Sequence, residues 1–369
     1  MSLPDTIKIR PLTPSDHEQL NKLHASREEV ARPEDAEKRT SLLEWIAFEN
    51  PFANGEPTYF VAEHNGRIVA LQGRMPVQFI IKGKRRKGYY VHDTYVHPEY
   101  RKRGWGFWIV SSINKAVEDR SDSFFCLVGG TPLNLKIQRR MGYREIALAP
   151  QYAKILDPME LVSQTINGGV VAKLLGPSFR GLLLLVDAVV CVGRTSGRLV
   201  RRISRFDSRV DELSLSLADK LGASTFRTSS FLNWRYVDRP FPRETILAAE
   251  ENGVLKGYVV VGPSRGGKAR AGMIVDILAD PQDGRTISAL CQAATKHFRK
   301  ERMALIRVVL SDDRYARILR RFLFFKTTSG KPLLIGNLER CGDEGDYLLD
   351  VKNWHMTLGE SDGFMLNPA

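Results

Sequence analysis

Cysteine is scarce and scattered. The four residues Cys126, Cys191, Cys291 and Cys341 form no CxxC pair, so neither a zinc site nor a disulfide framework is expected, and a reducing, cytoplasmic location fits. Long hydrophobic runs are absent too. The most apolar stretch, Gly181 to Val192 (GLLLLVDAVVCV), contains Asp187 and is bracketed by Arg180 and Arg194. A helical membrane span needs ~20 apolar residues, so this segment is expected to be a buried interdomain helix, with peripheral membrane contact as the alternative. The opening MSLPDTIKIRPL lacks a basic stretch running into an apolar one, and no secretory signal is expected. No long block of one charge sign occurs, which argues against a nucleic-acid-binding tail. The formal net charge of +13 nevertheless favours polyanionic partners, phosphorylated cofactors among them.

What is present is enough for a sizeable core: 369 residues, 43% of them apolar, a length that suits two domains. Basic residues gather at Lys82 to Lys87 (KGKRRK), Arg101 to Arg103 and Arg198 to Arg205; the first and third clusters read as solvated loops and helix faces. The chain also repeats itself. Trp45 stands six positions before Pro51, and Trp234 six before Pro240. AEHNGRIVA (62–70) is echoed by AEENGVLKG (249–257), in which Asn-Gly between apolar runs signals a hairpin. DTYVHP (93–98) matches DILADP (276–281), and Arg140-Met141-Gly142-Tyr143 matches Arg321-Phe322-Leu323-Phe324. Each half therefore reads as a mixed α/β layer whose hairpins imply antiparallel neighbours. The expected division is 1–157, a helical connector over 158–200, and 201–369.

The chemistry concentrates at Val91 to Gly106. A strand, VHDTYV, is stopped by Pro98, and Arg101-Lys102-Arg103-Gly104-Trp105-Gly106 leads into a helix. Glycines in a strand-to-helix turn expose main-chain N–H groups at the positive end of the helix, a natural seat for phosphate. YYVHDTYVHPEYRKRGWG (89–106), with its Pro-x-x-Arg-x-x-Gly-x-Gly spacing, resembles the GNAT N-acetyltransferase superfamily. The resemblance covers about the first 150 residues. It implies an acetyl-CoA site formed by Tyr95, Val96, Arg101, Lys102, Arg103, Gly104, Trp105, Gly106 and Asn134, with the pyrophosphate on the amides of 101–106 and a sheet that splays open beside Tyr95. It further implies direct transfer of an acetyl group to a primary amine of a small molecule, with no metal and no nucleic-acid partner. His92 is the first candidate for the base and Asp93 the second. Gln138 stands where the family usually carries the tyrosine that acts as acid, so either Tyr143, Tyr89, Tyr90 or water supplies the proton, or the thiolate leaves unassisted.

The second half lacks the second glycine of the turn, places Asp283 where phosphate would sit and has Leu323 for Gly142. It is expected to be a degenerate copy, so that the fold is two tandem GNAT-like units. Its LNWRY (232–236) and WHMTLGESD (354–362) motifs are similar to those of tandem GNAT-like bacterial proteins of surface-polysaccharide function, which suggests an amino sugar as acceptor. Two other readings stand beside this one: a CoA-binding pseudoenzyme or scaffold, and a basic binder of nucleic acid or an anionic surface. Oligomeric state is left open.

Overall fold

The computed structural model describes residues 6–118, 123–165, 181, 198–264 and 269–361. Most of the expected connector, and the apolar segment Gly181 to Val192 beyond its first residue, lie outside the described residues.

The first half runs β1 (Ile7–Pro11), α1 (His17–Ala25), α2 (Pro33–Phe48), β2 (Tyr59–His64), β3 (Arg67–Ile81), β4 (Lys84–Val96), α3 (Pro98–Lys102), α4 (Gly106–Glu118), β5 (Phe124–Val128), α5 (Pro132–Arg140) and β6 (Arg144–Ile155). After α6 (Pro158–Thr165) the second half runs β7 (Leu199–Ile203), α7 (Arg209–Ser216), β8 (Ala223–Thr225), α8 (Ser229–Tyr236), β9 (Thr245–Glu251), β10 (Val254–Pro263), β11 (Ala271–Ala279), α9 (Gly284–Lys300), β12 (Leu305–Val309), α10 (Asp313–Arg321) and β13 (Phe325–Gly336).

The two Asn-Gly turns form as their chemistry demands. Asn65 and Gly66 (φ 50° and 74°) join β2 to β3, and Asn252 and Gly253 (φ 52° and 79°) join β9 to β10. Two successive positive φ values give the turn whose twist matches the flanking strands. Leu323 adopts φ 64° where Gly142 adopts 90°, so the second half keeps the backbone turn without the glycine that makes it easy.

The strands form one sheet in the order β1-β2-β3-β4-β5-β13-β6-β12-β11-β10-β9-β7, with β8 pairing on β3. Apart from β8, this order is palindromic. Its centre is an exchange: β13 lies between β5 and β6, and β6 lies between β13 and β12, all antiparallel. Each half lends its last strand to the other, so neither β5 nor β12 is left with an unpaired edge. Alternation along the strands separates the two faces. Val61, Ile68 and Leu71 pack toward α1 and α2, whereas Ala62, Val69 and Ala70 pack toward Ile109, Val110 and Ile113 of α4. On the α1–α2 face, Trp45 of α2 stacks on Trp234 of α8 with ring centroids 4.6 Å apart and planes 23° from parallel. The two repeated tryptophans therefore meet at the join between the halves.

The KGKRRK segment is not the solvated loop expected from its charge. It forms the tip of the β3–β4 hairpin and reaches across to the second half, where Lys82 lies over Tyr347 and Arg85 over Phe226. Arg86 pairs with Glu344 at 2.9 Å. Lys87 pairs with Glu56 within the first half. Cation–π contacts and ion pairs thus hold four of its cations to specific partners.

Candidate functional site

β4 begins in parallel register with β5, through Gly88–Phe124, Tyr89–Phe125 and Tyr90–Cys126, and the pairing stops there. Beyond that point Leu127 and Val128 pair with β13, while β4 stays with β3. A bulge accompanies the divergence. Leu71 faces Tyr95 and Gly73 faces His92, so Gln72 alone opposes Asp93 and Thr94, and Asp93 takes φ 47°. An extra residue of this kind bends its strand and re-aims the side chains that follow. The result is a V between β4 and β5, as the resemblance implied.

A cavity of about 280 Å³ fills the wide end of the V. Thr94, Tyr95 and Val96 form one wall, and Thr131, Asn134 and Ile137 of α5 and its approach form the other. Arg101, Gly106 and Val110 close the end where α4 starts. α5 is held in place by its cap, since Thr131 Oγ1 accepts from the Asn134 amide at 3.3 Å. The amides of Arg101, Arg103, Gly104 and Trp105, expected to seat the pyrophosphate, already donate to the carbonyls of His97, Glu99, Arg101 and Tyr100. Among the described residues, the amides of Gly106, Phe107 and Trp108 carry no acceptor. The phosphate-binding donors therefore start at Gly106, at the first turn of a 13-residue helix whose positive end faces the cavity. Arg101 adds its charge from the cavity wall and stands 3.6 Å from Glu28 at the mouth.

Five of the residues expected to bind cofactor, Tyr95, Val96, Arg101, Gly106 and Asn134, meet in this cavity. Lys102, Arg103, Gly104 and Trp105 do not line it. Arg103 pairs with Glu99 and lies over Tyr100 and Trp105, and Gly104 (φ 78°) shapes the turn. The cavity residues missed by sequence reasoning include Arg27, Thr94 and Thr131. Only Thr131, a Thr-Pro helix start, carries a local signal.

None of the three expected catalytic side chains lines the cavity. His92 is 3% exposed, lies across Gly73 and has Nδ1 3.2 Å from the Tyr59 hydroxyl. A β-carbon on Gly73 would fall 2.3 Å from the His92 ring, so the glycine is what lets the imidazole lie there. Burial pushes its pKa down to about 4, partly opposed by Asp93 and reinforced by Arg74 and Arg235. Asp93 Oδ1 accepts from Arg27 and from Arg39, each at 2.8 Å. Burial alone would raise that carboxyl, but the two guanidiniums outweigh it and hold it far below the usual range. The bulge has turned Asp93 into the centre of an ion cluster. Tyr143 is buried beneath α4, donates to Glu118 at 2.6 Å, and has its phenol pushed well above the ordinary value by burial.

Gln138 has a definite place as well. It is fully buried, accepts from Asn114 Nδ2 at 2.9 Å and donates to Asn134 Oδ1 at 3.3 Å. Asn114 in turn accepts from the buried Arg74 at 2.5 Å. This chain of amides fixes Asn134 in the cavity wall.

The corresponding V of the second half, between β11 and β12, is closed by the protein itself. β11 and β12 pair only as far as Ile274–Val308. The segment from Trp354 to Ser361 then enters the opening. Leu310 bridges Thr357, the Ser311 amide donates to the Met356 carbonyl at 3.1 Å, and His355 Nε2 lies 3.0 Å from the Ile277 carbonyl. Thr357 Oγ1 donates to Asp276 at 3.0 Å. Tyr315, at the position matching Asn134, bonds both the amide and the carbonyl of Ala279. At the start of α9, the Asp283 carboxylate accepts from the Thr286 amide at 3.1 Å and pairs with Arg198 at 2.9 Å. A side-chain carboxylate thus occupies the anion position of that helix.

A layered α/β sheet split at a bulge, with a free helix N-terminus beside the split, is a fold this chain shares with solved acyltransferases. Residues 8–146 match the family model described as "Acetyltransferase (GNAT) domain". In fold, the chain is similar to a GCN5-related N-acetyltransferase from Kribbella flavida, at 14% identity over 89% of this chain and 70% of that one, TM-score 0.56. It is also similar to one from Anabaena variabilis, at 11% identity, 89% and 72% coverage and TM-score 0.60. A third is the N-myristoyltransferase of Saccharomyces cerevisiae, solved with bound myristoyl-CoA, at 10% identity, 91% and 84% coverage and TM-score 0.59. A comparison with curated proteins gives no match. Among the described residues no helix is long and apolar enough to cross a membrane, and no group of side chains could hold a metal ion.

Proposed function

We propose that the protein is an N-acyltransferase that moves an acetyl group from acetyl-CoA to the primary amine of a small molecule, in a ternary complex and at a single active site in the first half. The observation that carries this reading is the asymmetry of the two clefts. One keeps a cavity beside uncapped helix amides, and the other is filled by Trp354–Ser361 and capped by Asp283. The palindromic sheet supports reading 1–157 and 201–369 as copies of one ancestral unit, the second no longer a cofactor site.

Bound acyl-CoA supplies the activated acyl group. The amides of Gly106, Phe107 and Trp108, with Arg101, hold its phosphates, and Asn134 and Tyr95 flank the arm that leads inward. Main-chain groups of β4 that face away from β3 beyond Tyr90 are free to polarise the acyl carbonyl. Because His92, Asp93 and Tyr143 are off the cavity, the amine loses its proton to water.

The test is release of free CoA thiol from acetyl-CoA, and from longer acyl-CoAs, over an amine panel. Turnover is expected to rise with the fraction of neutral amine, with no inflection from His92 above pH 5, since its imidazole is pushed down to about 4. Thiol release from no donor on any amine would refute the reading. An enzyme inflection near neutrality that disappears in His92→Gln would restore the imidazole as base.

A further inference from the structure

A second cavity, of about 200 Å³, opens where the two halves share the sheet. It is lined by Gln151 of β6, Arg307 and Val309 of β12, Lys331 of β13, and Ser264 and Glu244, and is walled by Leu358 and Ser361 of the segment that fills the second V. One residue ties it to the first-half site. The Gly129 amide, just past the end of β5, donates to the Pro332 carbonyl at 2.8 Å. A β-carbon on Gly129 would lie 3.5 Å from Lys331 Cδ, whereas one on Gly130 would lie 3.6 Å from Asn134. Gly129 and Gly130 thus stand between a lining residue of each cavity, Lys331 on one side and Asn134 on the other.

The charges in the second cavity are uneven. Arg307 has one long contact, Nη1 to Ser264 Oγ at 3.4 Å, and no carboxylate lies within ion-pair distance of Arg307 or Lys331 among the described residues. Glu244 is the one acid among the lining residues, and it is already engaged by Arg239 at 3.4 Å and the Arg243 amide at 3.0 Å. Two half-buried cations remain in search of an anion. Val309 and Met273 supply an apolar floor between the polar groups. Adjacent strands are ~4.8 Å apart, which puts the backbone of Lys331 about one spacing, and that of Arg307 about three spacings, from the edge of β5.

We infer that this cavity is the acceptor site, and that it takes an amine whose anionic group, carboxylate or phosphate, is set several atoms away from the reacting nitrogen. The inference rests on the acyltransferase reading above. The cations hold the anion, the apolar floor carries the spacer, and the amine projects past Gly129 toward the acyl group. An ω-amino acid, a short peptide or an aminoalkyl phosphate meets this description; a free α-amino acid is too short.

Thiol release by the full chain with acetyl-CoA is measured for glycine, γ-aminobutyrate and ε-aminocaproate, each against its carboxamide, and for aminoalkyl phosphates against the matching amino alcohols. The anionic member of each longer pair is expected to be favoured by about tenfold or more in kcat/KM, the scale of a charge-assisted hydrogen bond. Preference in one series or the other identifies the anion. Arg307→Met and Lys331→Met should erase the preference and leave the acetyl-CoA Kd unchanged. Equal rates within every pair, or a preference that survives both variants, overturn the inference. Saturation-transfer NMR of ε-aminocaproate against its amide, without acetyl-CoA, reads the cavity independently. Selective binding of the acid that is lost in Arg307→Met shows that the cavity takes the anion even if thiol release fails, in which case the acyltransferase reading fails and the anion site stands; no selectivity refutes the inference.

Discussion

Gly106→Glu is expected to weaken acetyl-CoA binding by about 100-fold or more while leaving the protein as stable as before. The two effects separate because of where the residue sits. Gly106 is the first residue of α4 and lines the cavity. A β-carbon there meets nothing closer than Arg101 Cγ at 3.9 Å, and the backbone does not require positive φ. An acidic side chain in the first helical turn is favourable for the helix itself, by a few tenths of a kcal/mol to about 1 kcal/mol. The same carboxylate takes the position of the phosphate and repels it. Loss of two charge-assisted hydrogen bonds at ~1.5 kcal/mol each corresponds to a factor of about 100 or more. The second half already shows this arrangement, with Asp283 capping α9. Gly104→Ala makes the contrast. It adds no clash but forces a β-carbon onto φ 78°, so it should cost about 1 kcal/mol of stability with a smaller effect on binding. Calorimetric titration with acetyl-CoA alongside thermal unfolding separates the two. A Gly106→Glu protein that binds as tightly as the parent would move the phosphate site elsewhere.

Asp93→Ala is expected to destabilise the protein by about 3–5 kcal/mol, because it leaves Arg27 and Arg39 buried without the carboxylate between them. In a chain of this size that lowers Tm by roughly 4–6 °C. Asp93→Asn keeps an acceptor and a side chain that tolerates the left-handed backbone, so its loss should be smaller. The two roles open to Asp93 predict opposite patterns. A base would show lost turnover at full stability in Asp93→Asn, whereas a clamp shows lost stability with turnover retained per folded molecule. The pH dependence has a definite sign. The carboxyl is held below its unfolded value, so its contribution is complete above the ordinary carboxylate range and declines as pH falls through it. Urea unfolding of wild type and Asp93→Asn between pH 7 and pH 3 should therefore converge on acidification; parallel curves would contradict the clamp.

Local chemistry made part of this molecule legible and left part of it silent. The Asn-Gly hairpins and a helix beginning at the Gly-x-Gly turn follow from residue types at short spacing, and the structure shows both of them, whereas the stacking of Trp45 on Trp234 joins residues far apart in the chain. The exchange of β6 and β13 had no such signal, because both strands read alike whichever half they join. The position of His92 off the cavity has no local signal for a related reason. Alternation places it on one face of β4, but the bulge at Asp93 and the glycine at 73 decide what that face meets. Gln138 stood out as a missing acid, and its function as the link between Asn114 and Asn134 needed three dimensions. The closure of the second V by Trp354–Ser361 was equally invisible, since the segment comes from far along the chain. Thr131 and Pro132 were the exception among the missed features, a helix start visible in the sequence and attached to no site until α5 was seen to wall the cavity.

The central claim is that one of two related clefts still receives acyl-CoA. Isothermal titration of the full chain with acetyl-CoA tests it most directly: one molecule bound per chain, abolished by Gly106→Glu and unchanged by Asp283→Asn, is the predicted result. Two molecules per chain, none, or a single site that persists in Gly106→Glu would contradict it.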